Sequence, residues 1–528
     1  MIYRQPEPRS LWGFWIIEWE GSFHIFFDED INADYNALSW QKQHDHIGHA
    51  VSRDLVHWET RPSLSVKGKP GEWNEMPSGG VMSGCVIRHE NKFYMFAGAT
   101  QRDNIQAVGI WTSDDLDNWK QHPDNPILKP SAPYYLENPT NERPSVSWRD
   151  PGIIYCKNDN SYHMCISAMQ ESESKINRLG SIIGHLRSKD LIHWEYLPPF
   201  STPGLPERFY QNEEAELFEI KGKYYLMFDG GTTGGWRLAT PDREDVRGSF
   251  YMISSKLEGP YYRPDDDFLI GNGMGARCAT TGRVIDYQDK KLFFHFSIAR
   301  RPAIGITKIL QARPDGTLYL EYLQAAEKLE TTVIYNSFCN IPEFHPQDLG
   351  QWQNSKEKLS CRVKCGGSRY RIARNTGDFH LSCSIIGTSA LRAGIIARIH
   401  ENGDGGVCPR GIGIILDFQK QKIFLSDSTC YPKTGWFCKE LDYKNMLLSR
   451  NKHYNIRYFV RSEYLEVYLD DIWIFTMTIP EPGSVSRGYQ EHYRFGPETA
   501  NRGNIELMVE EGNAKFSGFR LATLEAMK

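Results

Sequence analysis

Long apolar runs are missing from this 528-residue chain: none approaches the roughly 20 residues that cross a membrane. The first ten residues are polar, carry two prolines and hold no apolar h-region, so they do not read as a secretory signal. Eleven cysteines, an odd number, are scattered without a CxxC pair, which argues against a disulfide framework and against a structural zinc site. An Asn-x-Ser/Thr acceptor is missing too, because the nearest match, Asn138-Pro139-Thr140, is blocked by its proline. These absences fit a reducing compartment, and the expected location is cytoplasmic. There is no long basic run and the net charge is −5, so the sequence lacks the electrostatic footprint of a nucleic-acid binder. The expected partner is a neutral or small molecule, with no nucleic acid and no membrane; nothing in the sequence fixes the oligomeric state.

What the chain does have is aromatic residues, 13% of the total, and a repeat. Aromatics at that level suit a β-rich core and also suit stacking on sugar rings. One segment, Ile47-Gly48-His49-Ala50-Val51-Ser52-Arg53-Asp54-Leu55-Val56-His57-Trp58, returns at Val108–Trp119 and at Ile183–Trp194. Each copy reads as a strand, a Ser/Asp turn that bonds its own backbone, and a Trp placed to pack between neighbouring sheets. A second, aromatic-rich strand precedes each copy. Its equivalent residues Phe23, Phe93, Tyr162, Tyr224 and Leu292 are spaced by 70, 69, 62 and 68 positions. Five copies at that period predict five four-stranded blades around a channel. The histidines that recur at equivalent positions, His49 with His185 and His57 with His193, read as packing groups rather than metal ligands.

The pattern changes after about residue 325. Residues 338–347, with Pro342 and Pro346, read as a linker. Residues 348–528 then read as short alternating strands with glycine-rich turns, which predicts a β-sandwich. The expected organisation is therefore all-β: a propeller over 1–337, the linker, and the sandwich. Trp352, Trp436 and Trp473 fit either the sandwich core or a sugar platform.

Chemistry in a propeller gathers on the innermost strands, so carboxylates at the start of each blade are the candidates. Trp148-Arg149-Asp150-Pro151 opens the third blade; an Arg beside a buried Asp favours the ionised carboxylate. Asn212-Glu213-Glu214-Ala215-Glu216-Leu217 opens the fourth. Alternation puts Glu213 on one face with Ala215 and Leu217, and Glu214 on the other with Glu216. A Glu on the apolar-facing set would have a raised pKa and suit a general acid.

The blade repeats, the Arg-Asp-Pro motif and the Glu before the fourth aromatic strand together resemble glycoside hydrolase family 32 and its relatives in clan J, over roughly residues 10 to 330. The resemblance implies a β-fructofuranosidase-type hydrolase acting on a sucrose-like or oligosaccharide substrate, with no cofactor. By motif it carries the transition-state stabiliser to Asp150, with Arg149 beside it, and the acid/base to Glu213. It carries sugar-pocket contacts to Ser83 and Gly84, and stacking walls to Trp12, Trp15 and Trp73.

One departure stands out: the Trp-Asp that some similar sequences show at the nucleophile reads Trp12-Gly13 here. Glycine has no side chain with which to attack. The alternatives left open are an inactive carbohydrate-binding propeller, a displaced carboxylate such as Asp28, Asp30 or Asp45, an engineered or damaging substitution, an inverting enzyme, or a glycosidase or phosphorylase of another five-bladed family acting on arabinose- or mannose-type sugars. A third channel carboxylate in place of Gly13 is the mark expected of that last class.

Overall fold

The computed structural model describes all residues except 34–43, 77–79, 142–143, 172–179, 204–211, 232–246, 273–278, 299–300, 340, 342–349, 401–409, 432–434, 480–500 and 528. The chain divides into two compact units, residues 1–271 with 279–326, and residues 272–278 with 327–528.

The first unit is a β-propeller. Four antiparallel sheets of four strands follow one another along the chain. The first holds β1 (Phe14–Trp19), β2 (Ser22–Glu29), β3 (His46–Ser52) and β4 (Glu59–Ser65). The second holds β5 (Val81–His89), β6 (Lys92–Thr100), β7 (Gln106–Ser113) and β8 (Lys120–Gln121). The third holds β9 (Arg149–Cys156), β10 (Ser161–Met169), β11 (Ser181–Ser188) and β12 (Trp194–Leu197). The fourth holds β13 (Glu213–Ile220), β14 (Lys223–Gly231), β15 (Arg247–Ser254) and β16 (Phe268–Asn272). A further antiparallel group contains β17 (Thr280–Tyr287), β18 (Lys290–Ser297), β19 (Ala303–Ile304), β20 (Lys308–Ala312) and β21 (Leu318–Tyr322). Within it β17 pairs with β18, and β18 pairs with both β19 and β20. The first strands pack in sequence, β1 on β5, β5 on β9, β9 on β13 and β13 on β17, and β17 returns to β1. The N-terminus reinforces that return, since Ile304 N–H donates to the Tyr3 carbonyl at 2.8 Å and the Ile304 carbonyl accepts from Ile2 N–H at 2.9 Å.

The repeated Ser-x-Asp turn behaves as its chemistry dictates. In all three copies the Ser hydroxyl accepts from the backbone N–H groups two and three residues on, at 2.9–3.2 Å. The Asp carboxylate does the same for the next two N–H groups, at 2.8–3.1 Å. The turn forces Leu55, Leu116 and Leu191 to positive φ of 74°, 67° and 65°, and each leucine is buried in return. The tryptophans close the sheets on one another: Trp119 meets Phe26 of the preceding sheet edge-on at 5.6 Å, and Trp194 meets Phe96 likewise at 5.8 Å. Of the recurrent histidines, His49 and His185 are buried packing groups, whereas His57 and His193 are exposed and hydrogen-bond the turn carboxylates Asp54 and Asp190 at 2.7 Å, so the packing reading fails for that pair. His49 stacks on Phe26, and the His163 and His185 rings of the third sheet are hydrogen-bonded to each other at 2.8 Å.

The second unit is built from long antiparallel strands. Gly503–Leu524 pairs with Glu330–Tyr335, Lys358–Thr376, Phe379–Gly387 and Arg392–His400. Its larger core cluster is aliphatic and aromatic and includes Phe379, Ile395, Tyr458 and Phe516, and a smaller one gathers Ile396, Ile399, Ile415, Phe424 and Met508. The division at 326/327 precedes the boundary expected at 337, because Glu330–Tyr335 is tied to the chain's last strand. Most of the expected linker, 338–347, lies outside the described residues. Trp352 packs on Tyr370 and Phe516, and Trp473 is buried with its indole N–H on Thr476, so both serve the core. The side chain of Trp436 lies outside the described residues.

Leu116 is fully buried between the first two sheets. Leu116→Ala is expected to lower unfolding free energy by about 2–5 kcal/mol, read as a lower midpoint for the propeller transition in denaturant. An unchanged midpoint would show that the repeat leucines do not hold neighbouring sheets together.

Candidate active site

Gly13, Ser83, Asp150, Glu214 and Thr281 share one register. Each stands six positions before the residue that ends the first strand's hairpin arm: Trp19, His89, Cys156, Ile220 and Tyr287. In three of the four sheets and in the β17–β21 group a β-bulge falls at this level, between Met82 and Gly84, opposite Cys165/Ser167, between Glu213 and Glu216, and between Thr280 and Arg283. Asp150, Glu214 and Thr281 take positive φ of 57°, 55° and 54°. A bulge adds a residue on one strand and re-aims its side chain. Here it turns polar groups from successive sheets toward one another.

The bulge also overturns the alternation expected for Glu213 and Glu214. Glu213 reaches the third sheet, where Arg149 Nη2 donates to its Oε1 at 2.5 Å. Ala215 and Leu217 are buried between the third and fourth sheets. Glu214 crosses the ring, where it accepts from the Ser83 hydroxyl and from Arg283. Arg283 is 1% exposed and also donates to Glu216 at 2.9 Å and to the Phe14 carbonyl at 2.7 Å. Asp150 is buried; its Oδ2 accepts from Ser167 at 3.2 Å and from the Glu214 backbone N–H at 3.3 Å, and lies 3.3 Å from Arg149 Nε.

Gly13 faces this cluster from β1. A Cβ built on it would overlap the Ser83 hydroxyl and lie 3.0 Å from Glu214 Oε1 and 3.1 Å from Asp28 Oδ2. Asp28 is the cross-strand neighbour of Gly13: its N–H donates to the Gly13 carbonyl at 2.9 Å, and its carbonyl accepts from Trp12 N–H at 3.0 Å. The other two displaced carboxylates weighed from the sequence are engaged locally, Asp30 with the Asn32 N–H and Asp45 with His46.

Crowded carboxyls out of water favour protonation. Burial pushes Glu214 up to about 8, with Arg283 and Ser83 opposing and Asp150 and Glu213 adding to the rise. Burial also raises Asp28 well above the usual carboxylate range, reinforced by Glu214 and Asp150. Asp150 is raised by burial, with Arg149 working against it. The glutamate that burial raises is thus Glu214, which alternation sets on the face with Glu216.

The remaining sequence candidates divide. Ser83 is in the ring. Gly84 is a packing glycine, since a Cβ there would overlap the Phe96 carbonyl. Trp15 is 1% exposed within the core and stacks on Phe26; Trp73 packs on Trp111 and against Gly109. Burial excludes Trp15 as a sugar wall, and Trp73 is half-buried. Trp12 is half-buried, edge-on to Phe296 at 5.1 Å. Arg283 and Glu216 had no signal beyond an Arg and a Glu inside strand repeats. Beneath the ring the channel holds a cavity of about 270 Å³, lined by Glu18, Arg88, Glu216, Arg283 and Asp286 among others. Elsewhere Cys156, Asp159 and His163 lie close enough to share a metal ion, and hydrogen bonding already joins His163 to Asp159 at 2.8 Å.

A β-propeller that gathers carboxylates on its first strands has the architecture of a propeller glycosidase. Residues 13–273 match the family model for the glycosyl hydrolases family 32 N-terminal domain, and the chain is a glycoside hydrolase family 32-like protein. An insoluble-isoenzyme β-fructofuranosidase of Arabidopsis thaliana is 25% identical over 308 residues, 55% of this chain and 46% of the relative. The extracellular exo-inulinase of Aspergillus niger is 23% identical over 450 residues, 77% of this chain and 74% of the relative. The chain spans under half the length of several plant relatives it matches. A mutant Bombyx mori family 32 β-fructofuranosidase, solved in complex with sucrose, shares the fold at TM-score 0.62 and 14% identity, covering 99% of this chain and 94% of that one.

Because the folded-state pKa of Glu214 lies above its ordinary 4.5, its protonation stabilises the fold below about 4.5, and that contribution is lost as pH rises through about 8. The expected result is a wild-type Tm that falls across this window more steeply than that of Glu214→Gln, in thermal melts at matched ionic strength. Parallel curves would place Glu214 in water.

Proposed function

We propose that the chain is a glycosidase of the β-fructofuranosidase type, cleaving terminal fructofuranosyl linkages in sucrose or fructo-oligosaccharides. The observation that carries this reading is the register ring, which puts Asp150 and the Glu213–Glu214 pair at one level within the family 32 domain. Asp150 accepts sugar hydroxyls and stabilises the positive charge that develops at the anomeric carbon. Glu213, linked to Asp150 through Arg149, protonates the leaving oxygen and later takes a proton from water. The complex of the Bombyx mori relative with sucrose supports the substrate class. The β17–β21 group is read as a fifth blade, and the second unit as a β-sandwich that buttresses the propeller.

A second reading, a carbohydrate-binding propeller without turnover, is favoured by Gly13. The two part in an assay of sugar release from sucrose, inulin- and levan-type oligomers and arabinan oligomers. The glycosidase reading expects fructose release, cut by about 10²–10⁴ in both Glu213→Gln and Asp150→Asn. Sugar binding by calorimetry with no release from any substrate would establish the second reading, and release from arabinan alone would reassign the substrate.

A further inference from the structure

The glycosidase reading leaves a gap at Gly13, and the structure fills it from another strand. We propose that Glu214 is the nucleophile, its carboxylate transposed from the first inner strand to the fourth; this rests on the fructosidase reading and extends it.

Position is the first support. A carboxylate oxygen of an aspartate lies roughly 2.4 Å from its own Cβ by standard bond lengths. Glu214 Oε1 lies 3.0 Å from where a Cβ on Gly13 would be, so a carboxylate already stands close to the place a side chain at 13 would put one. Two consecutive glutamates serve the channel because Glu214 sits in the bulge at φ +55°. They diverge from there. Glu213 turns to Arg149 of the third sheet, and Glu214 crosses to Ser83 of the second and Arg283 of the fifth group. A nucleophile and an acid must approach the sugar from different directions, and this divergence provides it.

Positioning is the second support. Oε1 accepts from Ser83 and Oε2 from Arg283, whose own guanidinium is held by the Phe14 carbonyl and Glu216. Both contacts favour the ionised carboxylate. Asp28 borders the same gap at 3.1 Å as the backbone partner of Gly13, and burial raises its carboxyl well above the usual range, reinforced by Glu214 itself.

The chemistry balances without a further reactant. Oε1 of ionised Glu214 forms a bond to the anomeric carbon while the bond from that carbon to the leaving oxygen breaks. The leaving oxygen takes the proton of Glu213, giving a fructosyl ester on Glu214. Water then gives a proton to Glu213 and its oxygen to the anomeric carbon, and the ester bond returns its electrons to Glu214. The charged and titratable groups around Glu214 are Arg283, Glu216, Asp150, Arg149, Glu213 and Asp28. Burial among them raises Glu214 to about 8, against which Arg283 and Ser83 work.

The test is a carboxylate swap, read as fructose release from sucrose and inulin oligomers, with circular dichroism to confirm folding. Wild type is expected to turn over, and Glu214→Gln and Glu214→Ala each to lose about 10³-fold or more. Adding Gly13→Asp to Glu214→Ala is expected to restore about 10²-fold, the coupling of groups that share one place. Folded Glu214→Gln with wild-type turnover overturns the proposal. So does an inactive wild type that gains activity from Gly13→Asp alone, although the fructosidase scaffold then stands. No turnover in any folded variant, Gly13→Asp included, removes the fructosidase reading and the proposal with it.

Discussion

The guanidinium of Arg283 is the interaction on which the channel depends. It is 1% exposed, and it ties β17 to the Phe14 carbonyl of β1 and to two carboxylates of β13. One buried cation thus joins three of the strands that meet around the axis, including the pair that closes the circle. A buried charge is tolerated only when paired and hydrogen-bonded, and removing one partner leaves the others uncompensated. Glu214 and Glu216 are as dependent on Arg283 as it is on them. The same bond that closes the ring therefore orients the carboxylate facing Gly13, and fold and site share a constraint.

Much of this was legible in the sequence. The repeat period gave the succession of sheets, because each sheet needs the same turn and the same interlocking Trp. The Ser-x-Asp turn was readable because its bonding is local. His49 and His185 were readable because recurrence at equivalent positions points to packing, but the same argument misplaced His57 and His193, which recur because each bonds its turn aspartate at the surface. Asp150, Glu213 and Ser83 were singled out by resemblance to family motifs, and the structure brings the three to one level of the channel.

What was not legible depends on register. Strict alternation sends neighbours to opposite faces, and nothing in Asn212-Glu213-Glu214-Ala215 announces the bulge that breaks it. The bulge becomes visible only when the first strands are aligned from their hairpin ends, where Gly13, Ser83, Asp150, Glu214 and Thr281 fall into one row. Trp15 was misread for a related reason: its burial is set by sheets that face it in space, not by its neighbours in the chain. The early boundary at 326/327 reflects pairing of Glu330–Tyr335 with a strand nearly two hundred residues away.

The account makes the ring the place where a furanoside sits and reacts. The most direct test is a crystal structure of the Glu213→Gln variant soaked with sucrose. The account predicts a fructosyl unit over Gly13, with its hydroxyls on Asp150 and its anomeric carbon facing the Glu214 carboxylate. A sugar bound elsewhere on the chain, or one in the ring with its anomeric carbon turned away from Glu214, would contradict it.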